Sequence, residues 1–140
     1  MATVTLTRHV PVPVPRAWRA WSNPAELARW WWPMLPDTTY DWSPEPGAAY
    51  AIHSRAAGFG VRGHFTEVDE PRRLVFDWAW VSGDEVEPVP GTVEVTFEAR
   101  GAGTLVTVQH TSPHDRSEMA GLVEGWHAVL DRLTGVTELV

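Results

Sequence analysis

The sequence predicts one α+β domain in which a curved antiparallel sheet grips a long C-terminal helix around a tryptophan-rich apolar pocket. Three observations predict it. Between residues 38 and 110 the chain alternates apolar and polar residues in short runs broken by glycine and proline, the pattern of an antiparallel meander. Beyond it, Met119, Leu122, Val123, Trp126, Leu130 and Leu133 recur at the helical spacing of i, i+3, i+4, i+7. Nine tryptophans in 140 residues exceed what a small core needs as filler, since one buried indole removes roughly 150–250 Å² from water.

The elements follow in order. Residues 3–10, with Val4, Leu6 and Val10 in period two, read as a strand. Pro11, Pro13 and Pro15 forbid further ladder pairing, and Pro15 suits the first turn of a helix over 14–22. Trp18 and Trp21 share one face of that helix. Asn23, Pro24 and Glu26 predict a capped second helix over 24–31 with a capping-box glutamate, ending before Pro33. On it Trp30, Trp31 and Trp32 would point in different directions, with at most two buried and one at a cavity mouth or a dimer contact. Strands are predicted over 38–42, 47–55, 59–69, 73–81, 91–99 and 103–110. In 91–99, Val93, Val95 and Phe97 alternate with Glu94, Thr96 and Glu98, so that sheet has one wet face. A long helix over 113–135 closes the chain, with Ser112 as its cap. Gly121 and Gly125, one turn apart, each cost about 1 kcal/mol against alanine, which predicts a close approach by a strand or a ligand.

Composition excludes several functions. Without cysteine there is no disulfide, thiolate catalysis or cysteine-ligated zinc. All 11 basic residues are arginine, which excludes a lysine Schiff base. A net charge of -7 disfavours nucleic acid and anionic lipid. There is no signal-peptide pattern and no run of 18 apolar residues, so a cytoplasmic, single-domain protein over residues 1–140 is expected. A homodimer through sheet edges or the tryptophan cluster is an open arrangement.

Motifs across the chain resemble one family. Leu27 to Pro33 (LARWWWP), Gly63 to Trp78 (GHFTEVDEPRRLVFDW), Gly103 to His110 (GTLVTVQH) and Gly125-Trp126 with Leu130 and Leu133 resemble, in order, the signatures of proteins similar to the activator of the heat-shock protein 90 ATPase. This is a branch of the START-like, SRPBCC helix-grip superfamily, together with birch-pollen-allergen-like proteins and polyketide cyclases. The resemblance implies a helix-grip fold of about seven strands, with two short helices after the first strand. It also implies a cavity between the sheet and the C-terminal helix that often holds an apolar ligand. The eukaryotic activator works with a further N-terminal domain, for which 140 residues leave no room, so chaperone activation is not expected.

The candidate ligand wall is Trp78 and Trp80, with Phe76 on the same strand face, Met119 and Trp126 from the helix, and Trp31; the alternative is a solid core. His110 shares the apolar face of Val106 and Val108, which points it inward as a proton donor or ligand-orienting group, or as a core histidine satisfied by a carbonyl. Arg62, His64, Asp77 and His53 are expected to face water, with Arg62 and His64 turning inward only if a bulge shifts the register. Glu67 and Arg73 are expected as surface ion-pair residues. No metal or nucleophile motif and no dinucleotide fingerprint is present, and no cofactor is predicted. Three functions remain: binding of a small, largely apolar molecule, a cyclase or hydrolase using His110 as acid or base, and a protein-interaction module exposing tryptophan.

Overall fold

A computed structural model describes residues 1–114 and 119–138. The element order is β1 (Ala2–Val10), α1 (Val14–Ser22), α2 (Pro24–Leu27), β2 (Thr38–Asp41), β3 (Ala49–Ser54), β4 (Phe59–Asp69), β5 (Arg73–Ser82), β6 (Glu85–Val86), β7 (Gly91–Arg100), β8 (Gly103–Ser112) and α3 (Ala120–Glu138). The strands form one antiparallel sheet in the order β1-β8-β7-β5-β4-β3-β2, and β6 pairs with β5 alone. This is the predicted α+β helix-grip architecture, with the two-residue β6 added inside the 83–90 break. No helix among the described residues is long and apolar enough to cross a membrane.

Period-two patterning sets the inner face. Val93, Val95 and Phe97 of β7 and Val106, Val108 and His110 of β8 are all buried. Against this face pack Trp18 and Trp21 of α1 and Trp126, Leu130 and Leu133 of α3. Trp18 meets Phe97 edge to face at 5.3 Å, a favoured aromatic geometry. Trp42, which had no predicted role, is buried against Tyr50, Phe65 and Phe76 and donates its indole N–H to the Trp21 carbonyl at 2.6 Å.

The structure corrects several boundaries. The second helix is one turn long rather than 24–31. Asn23 caps it, accepting from the Ala25 amide at 2.9 Å. Glu26 does not complete a capping box, because the Asn23 amide already closes α1 on the Arg19 carbonyl at 3.0 Å. Glu26 instead takes Arg16 and Arg19, each at 2.7 Å. Trp30 to Trp32 therefore leave the helix in a turn, with Trp32 at a φ of 54°. Their carbonyls are held from elsewhere: Arg132 Nε donates to Trp30 at 3.0 Å, and the Tyr40 hydroxyl donates to Trp31.

The last helix begins at Ala120, not at 113; the predicted residues 115–118 lie outside the described residues. Ser112 is not a helix cap. It ends β8, whose pairing with β1 runs to Ala2↔Ser112, and its hydroxyl accepts from the His114 amide at 3.1 Å.

A register shift does occur in β4, between Phe65 and Glu67. It falls after Arg62 and His64, which stay exposed, while His53 and Asp77 are half-buried. Asp77 Oδ1 accepts from the His64 amide at 2.8 Å. Gly63 permits this approach, since a Cβ there would lie 2.1 Å from that oxygen. Arg73 pairs with Glu67 at 2.7 Å and with Glu94 at 3.3 Å on the wet face.

Candidate functional site

A cavity of about 400 Å³ lies between the sheet and α3, within the size range of small-molecule sites. Strand parity places Trp78 and Trp80 of β5 side by side on one wall, 5.3 Å apart and edge to face. The turn after α2 adds Trp31 and Trp32. Trp32 is stacked on Trp80 at 6.3 Å with 18° between the planes. From α3 come Gly121, Leu122, Gly125, Trp126 and Val129, with Met119 just before it. His110, Ser112 and Gly91 form the end where β8 meets β7, and Glu87 and His114 reach in from neighbouring loops.

Six of the seven sequence-predicted ligand residues line this space: Trp31, Trp78, Trp80, His110, Met119 and Trp126. Phe76 does not. It shares the face of Trp78 but sits two residues deeper, fully buried against Trp42, Tyr50 and Phe65. It is core. Trp30 and Trp31 are buried and Trp32 is half-buried at the cavity, the expected division, although the three lie in a turn and not on a helix.

No strand approaches the two helix glycines. A Cβ on Gly121 or Gly125 would meet nothing within 4 Å, and both border the cavity. Gly135 is equally unobstructed but does not line it.

The polar groups are few. Glu87 Oε2 and His114 Nε2 are 2.6 Å apart. Sequence reasoning missed both as lining residues, along with Gly91, Ser112, Leu122 and Val129. Loop positions carry no periodicity, and the one available signal was that Glu87 and His114 flank the strand ends nearest His110.

His110 is 1% exposed. Its Nδ1 accepts the Trp126 indole N–H at 3.0 Å. An indole nitrogen only donates, so Nδ1 is unprotonated and the proton of the neutral ring is on Nε2. Burial pushes the His110 pKa down to about 4, because desolvation disfavours the imidazolium. The ring is therefore a neutral Nε2–H tautomer near pH 7. Nε2 has no protein partner among the described residues. The indole nitrogens of Trp21, Trp31 and Trp78 are buried without a partner among the described residues; His110 borders the cavity, on the side where Gly91 approaches its Nε2. Among the described residues no cluster of three His, Asp or Glu side chains is placed to hold a metal ion.

The family model described as activator of Hsp90 ATPase homolog 1-like protein matches residues 11–138. No curated protein matches the chain. Solved structures do. DynU16, from the dynemicin biosynthetic locus, is 24% identical with a TM-score of 0.82, covering 97% of this chain and 47% of its own. This chain thus spans about half of DynU16. MLL2253 from Mesorhizobium loti is 20% identical with a TM-score of 0.83, covering 99% of this chain and 98% of its own. CalU16 from Micromonospora echinospora is 21% identical with a TM-score of 0.73, covering 96% and 75%. At these identities the likeness concerns fold. The family match extends over nearly the whole chain, and the chain belongs to the activator of Hsp90 ATPase homolog 1-like family, within the START-like helix-grip superfamily.

Proposed function

We propose that the protein binds a small, largely apolar ligand, aromatic or lipid-like, in the cavity between sheet and α3. One observation carries this reading: five indoles, those of Trp31, Trp32, Trp78, Trp80 and Trp126, surround about 400 Å³ of open space. Apolar walls of this kind with few polar groups are the usual make-up of a ligand site. Gly121 and Gly125 support it, since each weakens α3 by about 1 kcal/mol relative to alanine while, among the described residues, a Cβ there would meet nothing within 4 Å. DynU16 comes from a biosynthetic locus, a setting in which a small-molecule binder fits. The cytoplasmic location expected from the sequence belongs to the same proposal.

The other readings have less support. Acid–base chemistry at His110 needs a free basic nitrogen or an imidazolium, and the ring has its Nδ1 engaged and its pKa near 4. A module that recruits partners through surface tryptophan needs exposed indoles, and among the described residues the exposed large apolar side chains are those of Met1, Met34 and Val89.

The test is a titration with N-phenyl-1-naphthylamine, a neutral apolar fluorophore. Saturable binding near one probe per chain is expected, with loss in Gly125→Leu, which adds a side chain at a position bordering the cavity. An absence of saturable binding to the folded wild-type protein would overturn the proposal.

A further inference from the structure

We infer that the ligand of this cavity carries a carbonyl-type oxygen and is selected by a hydrogen bond from Nε2–H of His110. The inference rests on the apolar-ligand reading above and adds the chemistry of the atom that His110 recognises.

Trp126 fixes which nitrogen does the recognising. Its N–H donates to Nδ1 at 3.0 Å, so the ring can offer the cavity only a donor. This donor is held in place from both sides. Trp78 packs on the imidazole at 5.1 Å and Trp126 at 6.1 Å, both edge to face. The space beside Nε2 is kept open by Gly91, where a Cβ would stand 3.3 Å from it. A Cβ at Gly91 would also lie 2.5 Å from the Thr111 carbonyl, so the position has little alternative to glycine.

A pure hydrocarbon that filled the cavity would strip Nε2–H of water and return nothing. A ketone, quinone or ester oxygen restores the bond. An unmatched buried donor is costly enough to change affinity by roughly tenfold or more. The remaining polar side chains of the lining are Ser112, Glu87 and His114. The last two are paired with each other; Ser112 and the indole N–H groups of Trp32 and Trp80 are further donors at the lining, but the His110 donor is the one whose direction is fixed by a bond to its other ring nitrogen.

Fluorene and 9-fluorenone form a matched pair: the same planar skeleton with CH₂ or C=O at one position. Equilibrium dialysis should show fluorenone binding the wild-type protein about tenfold or more tightly than fluorene. In His110→Asn the amide oxygen stands near Nδ1 and still accepts from Trp126, but no donor reaches the place of Nε2, so the ratio should fall towards one. The carbonyl stretch of bound fluorenone should shift to lower wavenumber in the wild type relative to the variant. Equal binding of the two probes by the wild type, a preference that persists in His110→Asn, or an unshifted carbonyl stretch would each overturn the inference and leave the apolar-ligand reading standing. Binding of neither probe would sink both. If His110→Asn does not fold, the wild-type ratio and the position of the carbonyl stretch against fluorenone in an aprotic solvent decide.

Discussion

Trp126 of α3 donates its indole N–H to Nδ1 of His110 in β8 at 3.0 Å. It ties the gripping helix to the sheet through two nearly inaccessible side chains, 3% and 1% exposed. Both groups are out of water, so neither has a substitute partner. His110→Leu should leave the indole N–H buried and unsatisfied, at a cost of about 1–3 kcal/mol. His110→Asn, which keeps an acceptor, should lose less. Adding Trp126→Phe to His110→Leu should recover part of the loss, because the orphaned donor is gone. Urea unfolding of the single and double variants measures all of this. Additive losses would show that the bond contributes nothing beyond packing.

The same burial sets an acid limit. In the folded chain the His110 pKa is about 4, against 6.5 for an unperturbed imidazole. Between these values the unfolded chain holds a proton that the folded one refuses, so stability falls as pH falls. The contribution is complete above about pH 6.5 and is lost progressively down to about pH 4. It amounts to an order of 3 kcal/mol at about 1.4 kcal/mol per pK unit. Carboxylates add their own slope at the acid end. The difference between wild type and His110→Asn isolates the histidine: the variant's curve should be flatter from pH 6.5 to 4. Parallel curves would refute the assignment.

Phe76 and Trp80 lie on one face of β5 yet should behave in opposite ways. Phe76 is fully buried among Trp42, Tyr50 and Phe65. Phe76→Ala should cost about 3–5 kcal/mol through a cavity in the core. Trp80 is half-buried and lines the cavity, where Trp32 stacks on it. Trp80→Ala should cost less stability and weaken apolar probe binding severalfold. Thermal unfolding and the naphthylamine titration read the two effects separately. Equal stability losses would mean that the cavity wall is part of the core.

These residues also show where the sequence speaks and where it is silent. Strand parity is local, so His110 could be turned inward from Val106 and Val108 alone, and the wet face of β7 from three glutamate and threonine positions. Depth along a strand is not local. Whether Phe76 or Trp78 meets the cavity depends on where α3 crosses the sheet, which no pattern within β5 encodes. The start of α3 is not local either: β8 continues to Ser112 because β1 is there to pair with it. Likewise the tryptophan turn is tied at the Trp31 carbonyl by Tyr40 and at the Trp30 carbonyl by Arg132, 102 residues away in sequence. The twin glycines are visible in the sequence, and among the described residues a Cβ on either would meet nothing within 4 Å.

Those glycines allow a test that separates helix propensity from cavity shape. Gly125 and Gly135 lie in α3, and a Cβ on either meets nothing within 4 Å; Gly125 borders the cavity and Gly135 does not. Gly→Ala at either position should stabilise the helix by up to about 1 kcal/mol, since no clash opposes it. Their effects on binding should differ. Gly135→Ala should leave probe affinity as it was, whereas Gly125→Ala narrows the space and Gly125→Leu fills it, with affinity falling in that order. Chemical unfolding and the naphthylamine titration on the same three variants provide the comparison. If Gly125→Leu bound the probe as the wild type does, the site would have to be sought elsewhere; if Gly135→Ala lost binding as well, helix stiffness rather than cavity volume would govern the affinity.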